Sequence, residues 1–143
     1  MRELMAMRGG TVPNKFYFGG GSRYSEDIDL VKIKTGKAGQ LFDAIREKLD
    51  PWLGNPKREV SEKSNKLFYR FQSETEPTVP MRLKIEINTI ENFSLLGYQD
   101  LPFEVDSTYF AGKALVRTFA LNELLGTKVR ALYQRRKGRD LFV

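Results

Sequence analysis

One amphipathic helix lies between segments that alternate like strands, and this order limits the possible folds more than any other feature. From residue 37 to 53, apolar side chains recur at steps of three and four, and Gly54 and Pro56 predict the end of the helix. The apolar positions are Leu41, Phe42, Ile45, Leu49 and Trp52. A helix with one apolar face must pack on another element, and the flanking strands provide it. The sequence therefore predicts an α+β (α/β) domain with a mixed sheet.

The strand predictions rest on alternation of polar and apolar residues. The predicted strands span residues 26–33, 65–73, 81–90 and, more weakly, 101–107, after a short mixed segment at residues 3–8. A second helix is predicted in "ALNELLGTKVRALYQRRKGRDLFV", with Asn122 as its cap and Gly126 and Gly138 as weak points. Because neither a repeat nor a linker divides the 143 residues, one domain covering 1–143 is predicted.

Composition restricts the chemistry. The chain has no cysteine and no histidine, which excludes disulfides, thiol nucleophiles, Ser-His-Asp triads and nearly all catalytic zinc sites. Any catalysis by this chain must therefore use carboxylates, lysines, hydroxyls or hard metal ions. The net charge of +6 favours anionic partners such as nucleotides, RNA or DNA, the alternative being a solubilising surface. Neither a membrane span nor a signal peptide is predicted, so a cytoplasmic location is expected.

Two acidic segments form the first candidate site. In "RYSEDIDL", Asp27 and Asp29 point to one face of a strand, and in "RLKIEIN" Lys84 and Glu86 share a face. If the strands are neighbours, Glu86 can join the aspartates in an oxygen-rich site for Mg²⁺ or Mn²⁺. The alternative is a charged outer face in which Lys84 pairs with Glu86 or a neighbour.

Two further segments suit phosphates. In "RGGT", Gly9 and Gly10 let backbone N–H groups approach a phosphate, and the Thr11 hydroxyl can add a hydrogen bond or cap the next element. On the second helix, Lys128 falls within an apolar arc, where its ammonium needs an anion or must reach solvent. The arc consists of Leu121, Leu124, Leu125, Val129 and Leu132. Arg135 and Arg139 follow on nearly the same stripe, which suits a triphosphate or a polynucleotide backbone, or a favourable end to the helix dipole.

In this order, "MRGGT", "RYSEDIDL", "LKIEI" and "ELLGTKVRALYQRRKGRDLF" resemble the nucleotidyltransferases of the AbiEii/AbiGii toxin family, a branch of the DNA polymerase β-like superfamily. The resemblance implies a Mg²⁺-dependent enzyme that moves a nucleoside monophosphate from an NTP to an acceptor and releases pyrophosphate. It implies the toxin of a toxin–antitoxin or abortive-infection pair, with RNA, notably tRNA, or a protein hydroxyl as acceptor. Compared with the family, the chain is short at both ends. This is expected of a fragment, of a natural minimal form or of a decayed copy.

The resemblance also assigns roles to residues. Asp27, Asp29 and Glu86 would bind the metal, with Glu86 as third carboxylate or as base, and Lys84 would lie beside them. The implied nucleotide-binding residues are Gly9, Gly10, Thr11, Ser25, Lys128, Arg135, Arg139 and Asp140. Two other classes stay open: a non-catalytic module that binds nucleic acid or a partner on its basic surface, and a metal-dependent nuclease, which leaves the Gly-Gly-Thr loop unexplained.

Overall fold

A mixed sheet is the framework of the computed structural model, which describes residues 3–18, 26–33, 38–90, 93–108 and 110–135. The strands are β1 Met5–Arg8, β2 Asp27–Lys32, β3 Lys57–Val60, β4 Ser64–Gln72, β5 Pro80–Asn88, β6 Tyr98–Asp106 and β7 Ala111–Phe119. Their order is β3-β4-β5-β2-β1-β7-β6. The pairs β2–β5 and β1–β7 are parallel and the other pairs are antiparallel. The predicted fold class, a mixed sheet with helices in one domain, is confirmed.

Two long helices and one short helix cover the sheet. Helix α1 is Ala38–Leu53, helix α2 is Leu121–Arg135, and a π-helix, Pro13–Tyr17, follows β1 with its proline in the first turn. On one face, α1 packs against side chains of β2, β4 and β5 in a buried cluster. Its members are Leu30, Leu41, Phe42, Ile45, Leu53, Leu67, Tyr69, Ile85 and Ile87. On the other face, Leu124 of α2 packs with Ala6, Val12, Val31 and Phe119. No helix in the described part of the chain is long and apolar enough to cross a membrane.

Several local predictions are wrong in detail. Trp52 is 70% exposed because Leu53, four residues after Leu49, holds the core position at the end of α1. Val129 is 67% exposed, so the apolar arc on α2 is buried mainly at Leu124. Helix α2 begins at Leu121, so Asn122 lies inside it and is not its cap.

Two strands were not predicted from the sequence. β3 is four residues long and exposed throughout, so it carries no apolar alternation. β7 has glycine, lysine and alanine in its exposed first half, and only its last two residues are buried. β6, predicted weakly at 101–107, spans nine residues at the sheet edge, where Pro102 is tolerated. These strands carry little periodic signal because they bury little surface.

Candidate active site

The pairing of β2 with β5 brings the predicted acidic residues onto one face of the sheet. In this parallel pair, Asp27 lies opposite Lys84 and Asp29 lies opposite Glu86. Directly opposed residues point to the same side, and here that side is the one away from α1. The expectation that the two segments are neighbouring strands is therefore confirmed. We call this side of the sheet the site face.

Lys84 lies among these carboxylates. Its Nζ is 3.1 Å from Asp27 Oδ2 and 3.5 Å from Glu86 Oε2, and Lys66 Nζ is 3.7 Å from Glu86 Oε1. Burial acts to lower the pKa of Lys84, but the hydrogen bond to Asp27 and the charges of Asp27, Asp29 and Glu86 outweigh it and raise the pKa. Lys84 therefore remains an ammonium that neutralises part of the acidic cluster.

A divalent ion fits the chemistry of this site only in part. Asp27 and Asp29 offer the hard oxygen ligands that Mg²⁺ and Mn²⁺ prefer. Among the residues that the structure describes, however, no three acidic side chains are grouped closely enough to hold a metal ion. Lys84 contacts both Asp27 and Glu86. A metal shared by these carboxylates would have to replace those ammonium contacts.

The glycine motif lies directly against Asp29. Gly9 follows Arg8, the residue paired with Asp29 across β1 and β2, and has a φ of +80°, a conformation that favours glycine. A Cβ at Gly9 would overlap Asp29 Oδ2. Burial raises the pKa of the Asp29 carboxyl, and the negative charges of Glu86 and Asp27 raise it further. The positive charges of Lys84 and Arg8 act on this pKa in the opposite direction but do not cancel the increase. Asp29 is thus a carboxylate enclosed by the turn, with room only because residue 9 is glycine.

The second glycine brings α2 into the site. A Cβ on Gly10 would lie 3.4 Å from Lys128 Nζ, so the Lys128 ammonium lies beside this backbone. The Thr11 hydroxyl donates a hydrogen bond of 2.8 Å to the carbonyl of Asp27, which ties the turn to β2. The N-cap of the π-helix is Val12, so Thr11 does not have the capping role that was the alternative prediction. Gly9, Gly10, Thr11 and Lys128 therefore surround the same corner as Asp29.

Asn14, which the sequence did not single out, is an unusual group beside this turn. It is only 4% exposed, and within the described residues neither its Oδ1 nor its Nδ2 has a hydrogen-bond partner. Its backbone N–H donates to the Gly10 carbonyl at 3.4 Å. An unpaired buried amide costs about 1 to 3 kcal/mol, so a side chain of this kind suggests a ligand or water contact. The available signal was a polar residue between the apolar pairs of "VPNKFY".

The side chains of four predicted site residues cannot be placed relative to the others. Ser25, Arg139 and Asp140 lie outside the described residues. Arg135 ends α2, and only its backbone is described. Their nucleotide-binding roles therefore remain predictions.

Comparisons with known proteins show the family of this chain and agree with its fold. The family model described as nucleotidyl transferase AbiEii toxin, type IV TA system, matches residues 1–142. The structure of JHP933 from Helicobacter pylori is similar with a TM-score of 0.64 and 20% identity, covering 96% of this chain and 55% of that one. MenT4, a nucleotidyltransferase toxin of Mycobacterium tuberculosis, is similar with a TM-score of 0.57 and 18% identity, covering 88% and 44%. This chain thus spans about half the length of these relatives, and no curated protein matches it significantly.

Proposed function

The chain belongs to the AbiEii nucleotidyltransferase toxin family, and from this premise we propose that it transfers a nucleoside monophosphate from an NTP to an acceptor hydroxyl. The acceptor oxygen forms a bond to the α-phosphorus as the bond from that phosphorus to its bridging oxygen breaks. Pyrophosphate leaves with the electrons of the broken bond, and a base takes the proton of the hydroxyl.

One observation supports this reaction above the others. A single Gly-Gly turn has the Asp29 carboxylate against its first residue and the Lys128 ammonium beside its second. A nucleotide triphosphate with a bound cation presents both a positive ion and negative phosphates. The two sides of the turn match these two charges.

We assign roles to this chain's residues accordingly. Asp27 and Asp29 would hold Mg²⁺ or Mn²⁺, which supplies neutralising charge at the phosphates and lowers the pKa of the attacking hydroxyl. Glu86 would act as third carboxylate or as base, and Lys84 would pass from the carboxylates to the substrate phosphates. The phosphate contacts would come from the turn and the basic residues: Gly9, Gly10, Thr11, Ser25, Lys128, Arg135 and Arg139, with Asp140 supporting them.

The wider setting follows from the family. We propose that the acceptor is RNA, with tRNA as a candidate, or a protein hydroxyl, and that a cognate antitoxin neutralises the activity. NTP and these acceptors occur together in the cytoplasm, where we expect the protein to act. The chain spans about half the length of these structural relatives.

The test is transfer of label from each NTP to cellular RNA or protein in the presence of Mg²⁺. We expect one NTP to label a defined acceptor, and Asp29→Asn to reduce labelling about 100-fold or more. The amide has the shape of the acid and relieves the repulsion from Asp27 and Glu86, so thermal unfolding should be unchanged. A matched control is Lys48→Gln, an exposed change on α1, which should label normally.

Two outcomes would contradict the proposal. Full labelling by Asp29→Asn would exclude the metal site. Binding of RNA by the wild-type protein without any dependence on Mg²⁺ or NTP, and without labelling, would favour the non-catalytic binding module instead.

A further inference from the structure

The site face continues past the acidic cluster onto β4 and β3, where it carries three basic side chains, Lys57, Lys66 and Arg70. Lys57 Nζ is 3.1 Å from Glu59 Oε1 on the same face. One row crosses four strands, from Asp27 through Lys84 and Phe68 to Lys57, because these residues are paired in register. In the preceding row of the β4–β5 pair, Arg70 lies opposite Arg82. We define the basic strip as Lys57, Lys66, Phe68, Arg70 and Arg82.

Phe68 is an aromatic side chain on this charged face, away from the main hydrophobic cluster. Its neighbours along β4, Leu67 and Tyr69, are fully buried against α1, whereas Phe68 points to the other side. It belongs to neither hydrophobic cluster of the described residues and is only partly buried. Its ring is flanked across the strands by Lys84 and Lys57. The strip therefore offers an aromatic ring surrounded by cations.

The arginines next to this ring indicate an anionic partner. Arg70 and Arg82 are exposed and directly opposite each other, and like charges at this position destabilise a sheet. Arg82 Nη2 is 3.0 Å from Glu26 Oε2, whereas the Arg70 side chain has no ion pair within the described residues. Both also line an open depression of about 480 Å³, together with Phe71, Gln72, Pro80 and Met81. An anion bound there would relieve the repulsion between them.

We propose that the basic strip binds a single-stranded segment of nucleic acid, with an unpaired base stacked on Phe68 and phosphates at Lys66, Arg70 and Arg82. Aromatic rings among cations are the usual means of binding single strands, because every base has a stacking face. A base within a duplex cannot reach a ring that lies on a sheet. An acidic protein would use the cations but would leave the ring without a role.

The strip also leads to the site. Adjacent strands are about 4.8 Å apart, so Phe68 on β4 lies two strand spacings, about 10 Å, from Asp27 on β2. A strand held on Phe68 therefore brings its next nucleotides towards Lys84 and the carboxylates. This inference rests on the proposed function and identifies the surface that would present a nucleic-acid acceptor to the site.

The test is fluorescence anisotropy of a short labelled oligouridine with the full chain, without NTP or Mg²⁺. We expect Phe68→Leu, which keeps an apolar side chain but loses the ring, to weaken binding about 10-fold, and Phe68→Tyr to bind like the wild type. Arg70→Gln should weaken binding about 3-fold and reduce the slope of log affinity against log salt by about 1. Lys48→Gln removes one charge from the opposite face and should change neither quantity.

Three results would overturn the inference: wild-type affinity in both Phe68→Leu and Arg70→Gln, tighter binding of a duplex than of the single strand, or equal binding of polyglutamate. If Phe68→Leu does not fold, as judged by thermal unfolding, the exposed Arg70→Gln still decides the question. Titration of wild-type protein with Mg²⁺ and NTP by calorimetry tests the proposed function separately. Failure there with retained oligouridine binding would reject the enzyme and keep the strip.

Discussion

The two helices cover opposite faces of the same sheet in different ways. Helix α1 buries four large side chains in the main cluster, whereas α2 buries one, Leu124, and leaves Val129 and Tyr133 67% and 84% exposed. Strands β2, β4 and β5 alternate between these faces, so each carries core residues and charged residues in turn. The α1 face therefore supplies most of the apolar stabilisation, and the α2 face keeps charged and unpaired groups that suit ligands. Core residues and candidate site residues are therefore one residue apart along each of these strands.

The largest expected difference between the two faces is tested by substitutions at two neighbouring positions of β5. Ile87 is fully buried on the α1 face, so Ile87→Ala should lower the free energy of unfolding by about 2 to 5 kcal/mol. Glu86→Gln, on the site face, should change it by less than about 1 kcal/mol, because its ion pairs with Lys84 and Lys66 are partly exposed. Chemical denaturation measures both. Similar losses in the two variants would mean that the faces do not divide these roles.

An intermediate effect is expected at Asn14, on the α2 side. Asn14→Leu removes a buried amide without described partners, so the free energy of unfolding should rise by about 1 kcal/mol. If the amide serves a ligand, the same variant should bind Mg²⁺–NTP more weakly in calorimetry. A less stable variant with unchanged nucleotide binding would show that Asn14 has only a structural role.

The smallest effect concerns how α2 is attached. Burial acts to raise the pKa of Glu123, but hydrogen bonds from Ser94 Oγ and from the N–H groups of Leu95 and Leu96 outweigh it and lower the pKa. The folded state thus binds the proton less tightly than the unfolded chain, so the stabilisation is present above the unfolded pKa of about 4.3 and is lost as the pH falls through the folded value.

Glu123→Gln checks this attachment. At pH 7 the variant should be less stable by at most about 1 kcal/mol, and the difference should shrink as the pH falls below about 4. Thermal unfolding across this pH range measures it. A difference that does not depend on pH would assign the stabilisation to packing, which would make α2 resemble α1.

The sequence predicted those features that depend on local period. Sequence alternation placed Asp27 and Asp29 on one face of a strand, and Lys84 and Glu86 on one face of another. The register of β2 with β5 confirms that all four side chains lie on the same face of the sheet. Helix α1 was predicted within one residue of its described start because its apolar face is continuous. Local patterns are sufficient where one side of an element is buried.

Features that depend on long-range pairing could not be predicted in this way. The row that joins Phe68 to Lys84 and Asp27 requires the strand order β4-β5-β2. The periodicity of the sequence within each strand does not give this order. The same holds for the contact of Lys84 with Asp27, which joins the neighbouring strands β5 and β2 that are far apart in the sequence. The exposed β3 and the first half of β7 carry too little apolar signal to be recognised.

The in-register pairing of β2 and β5 also limits how the length of this chain can vary. Inserting or deleting one residue inside either strand would turn every later side chain to the opposite face, sending carboxylates into the apolar layer and Ile87 or Leu30 into solvent. Natural insertions and engineered tags should therefore be tolerated in connections such as residues 73–79 and rejected within these two strands.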